Sequence, residues 1–211
     1  PKLIILEVET DDAINGWGEL IGGARIQTVI QAAHEIGENL IGLDPSNIED
    51  IWQRLYRVFF RGGAVHMTVL SAIDIALWDI KGKFFNAPIH QLLGGPARDK
   101  IVVYSWIGGD RPENLVEAAL KRKADGFKAI KMLATEGTHY IDSYKKIDSV
   151  LKKIQSIRDA IGFDFDIGID FHGRLHQAMA KILVRELECF HPMFIEEPLP
   201  PENIEGLRDL R

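Results

Sequence analysis

What most constrains this chain is the stretch from Phe165 to Pro198: FDIGIDFHG, a helical segment, then FIEEPLP. Two short apolar runs, Asp166–His172 and Phe194–Pro198, flank a segment from Gln177 to Phe190. In that segment Met179, Ile182, Leu183 and Leu187 recur at helical spacing. Runs of this length and apolar density read as strands buried on both faces, as in a parallel sheet. The first closes on Asp170 and His172, the second on Glu196 and Glu197. In a βα-barrel the carboxyl ends of the strands face the active site. Acids at neighbouring strand ends would therefore converge on one hard cation, with His172 beside them. A plainer reading, in which each acid caps the helix that follows, accounts for one such residue. Two adjacent strand ends plus a histidine favour a metal site.

The same alternation fills the C-terminal half. Ile101–Ile107 reads as a strand, Pro112–Ala124 as a helix and Ala129–Leu133 as a strand. Tyr140–Ile161 then reads as a long helix with Tyr144, Ile147, Leu151, Ile154 and Ile157 on one stripe. A last helix begins at Glu202. Four βα units, the fourth incomplete, imply a parallel sheet with right-handed crossovers. No G-x-G-x-x-G follows a first strand and no Walker-type loop occurs, which shifts the expectation from a dinucleotide fold towards a barrel.

The N-terminal half follows another grammar. Leu3–Glu9 and Trp17–Leu20 read as a hairpin around Asp11-Asp12 and Asn15-Gly16. Ile26, Val29, Ile30, Ala33, Ile36 and Leu40 then keep helical period. A second helix follows Asp44-Pro45, with Ser46 as its expected cap and Glu49 three residues on. A third, from Thr68 to Phe84, is expected to bury Val69, Ile73, Leu77 and Ile80. The expectation is an α/β chain: an α+β domain over residues 1–97 and the first half of a TIM-like barrel over residues 98–211.

Composition excludes little but points one way. A net charge of −6 with no basic tract argues against a nucleic-acid partner. No apolar run nears the roughly 18 residues that span a membrane. The single cysteine, Cys189, excludes an intrachain disulfide and fits a reducing compartment, so a cytoplasmic location is expected. No signal-peptide pattern opens the chain. Pro1 stands where an initiator methionine would, so the start of the gene product is expected upstream.

Several motifs carry a resemblance: Gly16-Trp17-Gly18-Glu19, the helix SAIDIALWDIKG from Ser71 to Gly82, YSWIGGDRP from Tyr104 to Pro112, Asp170-Phe171-His172-Gly173, and Phe194-Ile195-Glu196-Glu197-Pro198. The chain resembles the mandelate racemase and muconate lactonizing branch of the enolase superfamily. Within that branch, YSWIGGDRP together with DFHGR points to the sugar-acid dehydratases, those acting on galactonate before those acting on mannonate or gluconate. The resemblance implies an α+β capping domain followed by a (β/α)7β barrel. It also implies magnesium held by acids at the ends of three successive barrel strands. Asp170 matches the first of these acids and Glu196 the second; His172 matches the general acid that protonates the departing C3 hydroxyl. The metal would steady the enediolate formed as the C2 proton leaves, and a 2-keto-3-deoxy acid would result. A small-molecule sugar acid is the implied partner, and a homo-oligomer is expected at full length.

Two departures from the family pattern matter. Racemases and lactonizing enzymes of the branch carry Lys-x-Lys at the second strand end, whereas here Lys131 is followed by Met132 and Leu133. The chain also ends before the fifth strand, without the third metal-ligating glutamate and the later histidine–aspartate base. Residues 1–211 are therefore expected to be an inactive fragment of a dehydratase. A non-catalytic half-barrel that binds a partner is the competing class, separated by its weaker magnesium affinity. Arg61 and His66, in a loop of the first domain, and Lys131, at a strand end, are candidate substrate contacts. Asp74 and Asp79 read as structural. A joint metal site for His172 and His176 is not expected, and the four tryptophans read as core.

Overall fold

A computed structural model of the chain describes residues 3–58, 62–108 and 112–210. The candidate Arg61 and the Gly109-Asp110-Arg111 part of the YSWIGGDRP motif lie outside the described residues. The chain divides into two compact units, Pro1–Asp99 and Lys100–Arg211.

In the first unit, β1 (Ile4–Val8) and β2 (Gly16–Leu20) pair antiparallel, with Leu6 opposite Gly18. Three helices follow: α1 (Ile26–Gly37), α2 (Ile48–Arg57) and α3 (Ala64–Phe84), with a short α4 (Ile89–Leu92) after them. The core gathers Leu20, Val29, Ile51, Leu55, Val69, Leu70, Ile73 and Leu77. The Gly-x-Gly of β2 is explained by close approach. A Cβ on Gly16 would collide with the Ala76 carbonyl, and one on Gly18 with the Ala72 carbonyl, so the strand lies directly on the α3 backbone. Asp79 fastens the same contact: its carboxylate accepts the Trp17 N–H at 3.0 Å and pairs with Lys83 at 2.7 Å. Asp79 is structural, as expected. Gly18→Ala should lower the stability of this unit by about 2 kcal/mol in urea unfolding, because a packed backbone cannot yield to the methyl group.

The second unit is the expected βα series. Strands β3 (Ser105–Ile107), β4 (Ala129–Leu133), β5 (Asp166–Asp170) and β6 (Phe194–Glu196) form one parallel sheet in that order. Helices α5 (Pro112–Ala124), α6 (Tyr144–Ile161), α7 (Gln177–Leu187) and α8 (Ile204–Arg208) alternate with them. Side chains alternate across a strand, and the register sorts them cleanly. Ile130, Met132, Ile167 and Ile169 are at most 1% exposed and pack with Leu115, Ile154, Ile157 and Leu183 of the helices. Burying each such side chain stabilises the fold by roughly 1.5–3 kcal/mol. Lys131, Gly168, Asp170, Phe194 and Glu196 fall on the other face.

Several boundaries and environments differ from expectation. Residues 101–104 are not strand, and Ile101, Val102 and Val103 are exposed, since β3 pairs with β4 only from Ser105. The helix expected from Tyr140 starts at Tyr144, because Asp142 accepts the N–H groups of His139 and Ser143 and turns the chain before it. Ser46 is not a cap: Asn47 occupies that place without a side-chain bond, and Asp44 accepts the Ser46 N–H instead. The third helix begins four residues before Thr68. Trp52 and Trp78 pack against the first core, but Trp17 and Trp106 are about half exposed, at 48% and 58%.

Candidate metal and active site

The carboxyl end of the sheet brings four of the expected residues together. Asp170 ends β5 and Glu196 ends β6, and they are register partners across adjacent strands. Lys131, on β4, reaches both: its Nζ stands 3.0 Å from Asp170 Oδ2 and 2.6 Å from Glu196 Oε2. Opposite Lys131 stands Gly168, over which the Phe194 ring lies so closely that a Cβ there would collide with it. His172 sits two residues beyond β5. Its backbone N–H donates to Asp170 Oδ1 at 2.8 Å, and its Nε2 lies 3.0 Å from Asp170 Oδ2. The Asp170 side chain is 2% exposed, so one buried carboxylate is shared by a lysine, an imidazole and a backbone amide.

Backbone geometry fixes these positions. The Phe171 N–H donates to the Glu196 carbonyl and the Gly173 N–H to the Glu197 carbonyl, both at 2.9 Å, so pairing runs past the formal strand ends. His172 and Glu197 both adopt left-handed φ, +53° and +45°. For non-glycine residues that conformation is uncommon, and it persists where surrounding bonds dictate it. Thr135, fully buried, anchors the same loop by donating to the Phe171 carbonyl at 2.7 Å. Nothing in the sequence marked Thr135 out, since a threonine after an apolar strand is ordinary. The left-handed turns were equally silent, His172 and Glu197 not being glycines.

The donor set suits a hard cation in part. Two carboxylate oxygens converge on one point, and a positive nitrogen already stands there. Magnesium is commonly held by one or two carboxylates with water completing its shell. Among the described residues no group of three or more histidine, cysteine, aspartate or glutamate side chains is placed to hold a metal.

Lys131 is held protonated above its ordinary range, mainly by the hydrogen bond to Glu196, against a smaller downward pull from burial and with Asp170 adding to the rise. A group raised in the folded state contributes fully below its unfolded value, about 10.4 for lysine, and loses that contribution as pH rises through the folded value. The melting-temperature penalty of Lys131→Met should thus be constant through neutral pH and fade in strongly alkaline buffer.

Other candidates stand apart. His66 engages the Leu55 carbonyl at 3.0 Å and lines a cavity of about 570 Å³ within the first unit. His176 caps α7, accepting the Ala178 N–H at Nδ1, and packs edge-on to Tyr140. No described helix is long and apolar enough to cross a membrane.

Comparison with known proteins agrees with the order of the two units. The family model for the mandelate racemase / muconate lactonizing enzyme N-terminal domain matches residues 1–94, and that for the enolase C-terminal domain-like fold matches residues 114–211. D-galactonate dehydratases of Klebsiella pneumoniae (strain 342) and Cronobacter sakazakii (strain ATCC BAA-894) are each 47% identical over 206 residues. Those residues are 97% of this chain and 54% of theirs. The chain thus spans about half the length of the curated relatives it matches. An enolase from Pantoea ananatis solved with D-gluconate and Mg is 30% identical, with a TM-score of 0.89 over 99% of this chain and 59% of that one. The 3,6-anhydro-D-galactonate cycloisomerase of Zobellia galactanivorans is 37% identical, with a TM-score of 0.88 over 100% of this chain and 57% of its own. With its two domains matched in order and its parallel sheet presenting paired acids, the chain belongs to the mandelate racemase and muconate lactonizing enzyme family of the enolase superfamily.

Proposed function

We propose that Asp170, Glu196 and His172 form the metal-binding and proton-donating half of a sugar-acid dehydratase site, a carbon–oxygen lyase with D-galactonate as its first substrate candidate. One observation carries the reading: two acids from adjacent strands converge on a single cation, and the histidine is bonded to one of them. The 47% identity to D-galactonate dehydratases supports the choice of substrate.

In this reading Asp170 and Glu196 hold magnesium, which when bound would neutralise charge building on the substrate carboxylate as the C2 proton leaves. Asp170 also orients the His172 ring through Nε2. A histidine so held can give its proton to the leaving C3 hydroxyl, the task for which an imidazole near neutrality is suited. Lys131 supplies the nearest positive side chain for the substrate carboxylate. His66, bonded to a backbone carbonyl, has a structural occupation that competes with substrate contact. The base that takes the C2 proton is not part of this cluster. Residues 1–211 alone are therefore proposed to bind a cation and a sugar acid without turnover.

The test is saturation-transfer NMR of residues 1–211 with D-galactonate, D-gluconate and D-mannonate in magnesium buffer, alongside a keto-acid assay. The reading expects galactonate to bind in a manner abolished by Asp170→Asn, with no keto acid formed. Preferential binding of gluconate, the ligand of the Pantoea ananatis relative, would move the substrate assignment. Sugar-acid binding indifferent to Asp170→Asn would remove the site assignment.

A further inference from the structure

We infer that Lys131 is a tethered counter-cation: its ammonium occupies the point between Asp170 and Glu196 when no metal is there, and leaves when a divalent cation enters. The inference rests on the reading of the two acids as a metal pair.

The geometry requires some such device. Asp170 and Glu196 are register partners on strands that run about 4.8 Å apart, and the Asp170 side chain is all but sealed from water. Two carboxylates facing one another in such a place repel, and each buried charge needs a partner. The groups facing the pair are Lys131, at 3.0 and 2.6 Å, and His172, at 3.0 Å from Asp170. At those distances the ammonium stands where any cation ligated by both acids would stand, and two cations cannot share that point. Entry of a metal therefore breaks two ion pairs, and the metal's apparent affinity is reduced by what Lys131 contributes.

The residue type suits the task. A lysine is a single point charge on a flexible four-carbon stem, able to withdraw in one motion, whereas an arginine would lock both acids through its planar fork. The exit is open on one side, since the Glu196 side chain is 38% exposed and that of Lys131 itself 15%. Once withdrawn, the ammonium is free to meet the carboxylate of an incoming acid. Metal entry and exposure of a positive side chain are thus one event.

Two measurements on the 211-residue chain test this. The first is calorimetric titration with Mn²⁺ of the native chain, Lys131→Met and Asp170→Asn, with melting temperatures taken in chelator. Lys131→Met is expected to melt lower without metal yet bind Mn²⁺ about tenfold more tightly, and Asp170→Asn to lose binding. The second is acetic anhydride labelling of the native chain with and without Mn²⁺, read by mass spectrometry. Labelling at Lys131 should rise several-fold with metal while the surface lysines stay unchanged. Binding abolished by Asp170→Asn but not tightened by Lys131→Met would overturn the inference and leave the metal pair standing. No Mn²⁺ binding in either the native chain or Lys131→Met would overturn both. If Lys131→Met does not fold, the labelling decides alone: Lys131 labelling unchanged at saturating Mn²⁺ refutes the displacement.

Discussion

Arg158→Met is expected to lower the unfolding free energy of the second unit by about 3 kcal/mol, the largest loss of stability foreseen for a single substitution here. Arg158 is 3% exposed, and among the described residues its hydrogen-bond partners are carbonyls. Its Nε donates to the Phe190 carbonyl at 2.8 Å, one terminal nitrogen to Gly162 and Phe165 at 2.9 and 2.6 Å, and the other to His191 at 3.0 Å. One guanidinium thus ties the end of α6, the entry to β5 and the turn after α7. Methionine replaces the aliphatic stem but leaves four carbonyls without their donor. Hydrogen bonds to a charged group are worth roughly 1.5–3 kcal/mol each, so the gross loss is larger than the predicted net. What offsets it is desolvation, which is also the leading cause of the downward shift of the Arg158 pKa. Arg158→Lys should fare little better, since a point donor cannot serve four acceptors on three segments. Urea unfolding within about 0.5 kcal/mol of the native chain would show that the carbonyls find water instead.

Asp170→Asn carries the largest functional effect: binding of Mn²⁺ should weaken by about 100-fold or more, while the fold survives. Asparagine retains an oxygen for the His172 N–H and keeps the volume, so the loop after β5 stays in place. What disappears is charge. The Lys131 ammonium is left with Glu196 alone, and the His172 ring loses its anionic partner. The electron paramagnetic resonance signal of free Mn²⁺ reads the change directly, and circular dichroism reports whether the sheet is intact. Unchanged affinity in a folded variant would place any metal elsewhere.

Much of this architecture was legible because strong periodic signals agreed with one another. The β5–α7–β6 unit could be read from its apolar runs, and Asp170, His172 and Glu196 from their place at strand ends. Pro112–Ala124 and Ala129–Leu133 appear at their expected bounds. Less legible were features that depend on partners distant in sequence. Lys131 could be read only as inward-facing or solvated, because its partners lie 39 and 65 residues away, at Asp170 and Glu196. Arg158 went unremarked although it follows Ile157 and stands four residues from Ile154, on the buried stripe, where a charged residue signals a satisfied internal cation. The expected strand at Ile101–Val103 failed for a related reason. Apolar composition suggested pairing, but pairing with β4 begins only at Ser105. Tryptophan composition likewise did not separate Trp52, stacked on Tyr56 at 4.9 Å, from the exposed Trp17 and Trp106.

The central claim is that two strand ends converge on one cation position, and anomalous diffraction from Mn²⁺-soaked crystals of the chain tests it most directly. The account predicts a single strong peak at direct ligand distance, about 2.1 Å for a magnesium-sized ion, from carboxylate oxygens of both Asp170 and Glu196. It also predicts that Lys131 Nζ is withdrawn from both acids. A peak elsewhere, or none at saturating Mn²⁺ with Lys131 still between the acids, would contradict it.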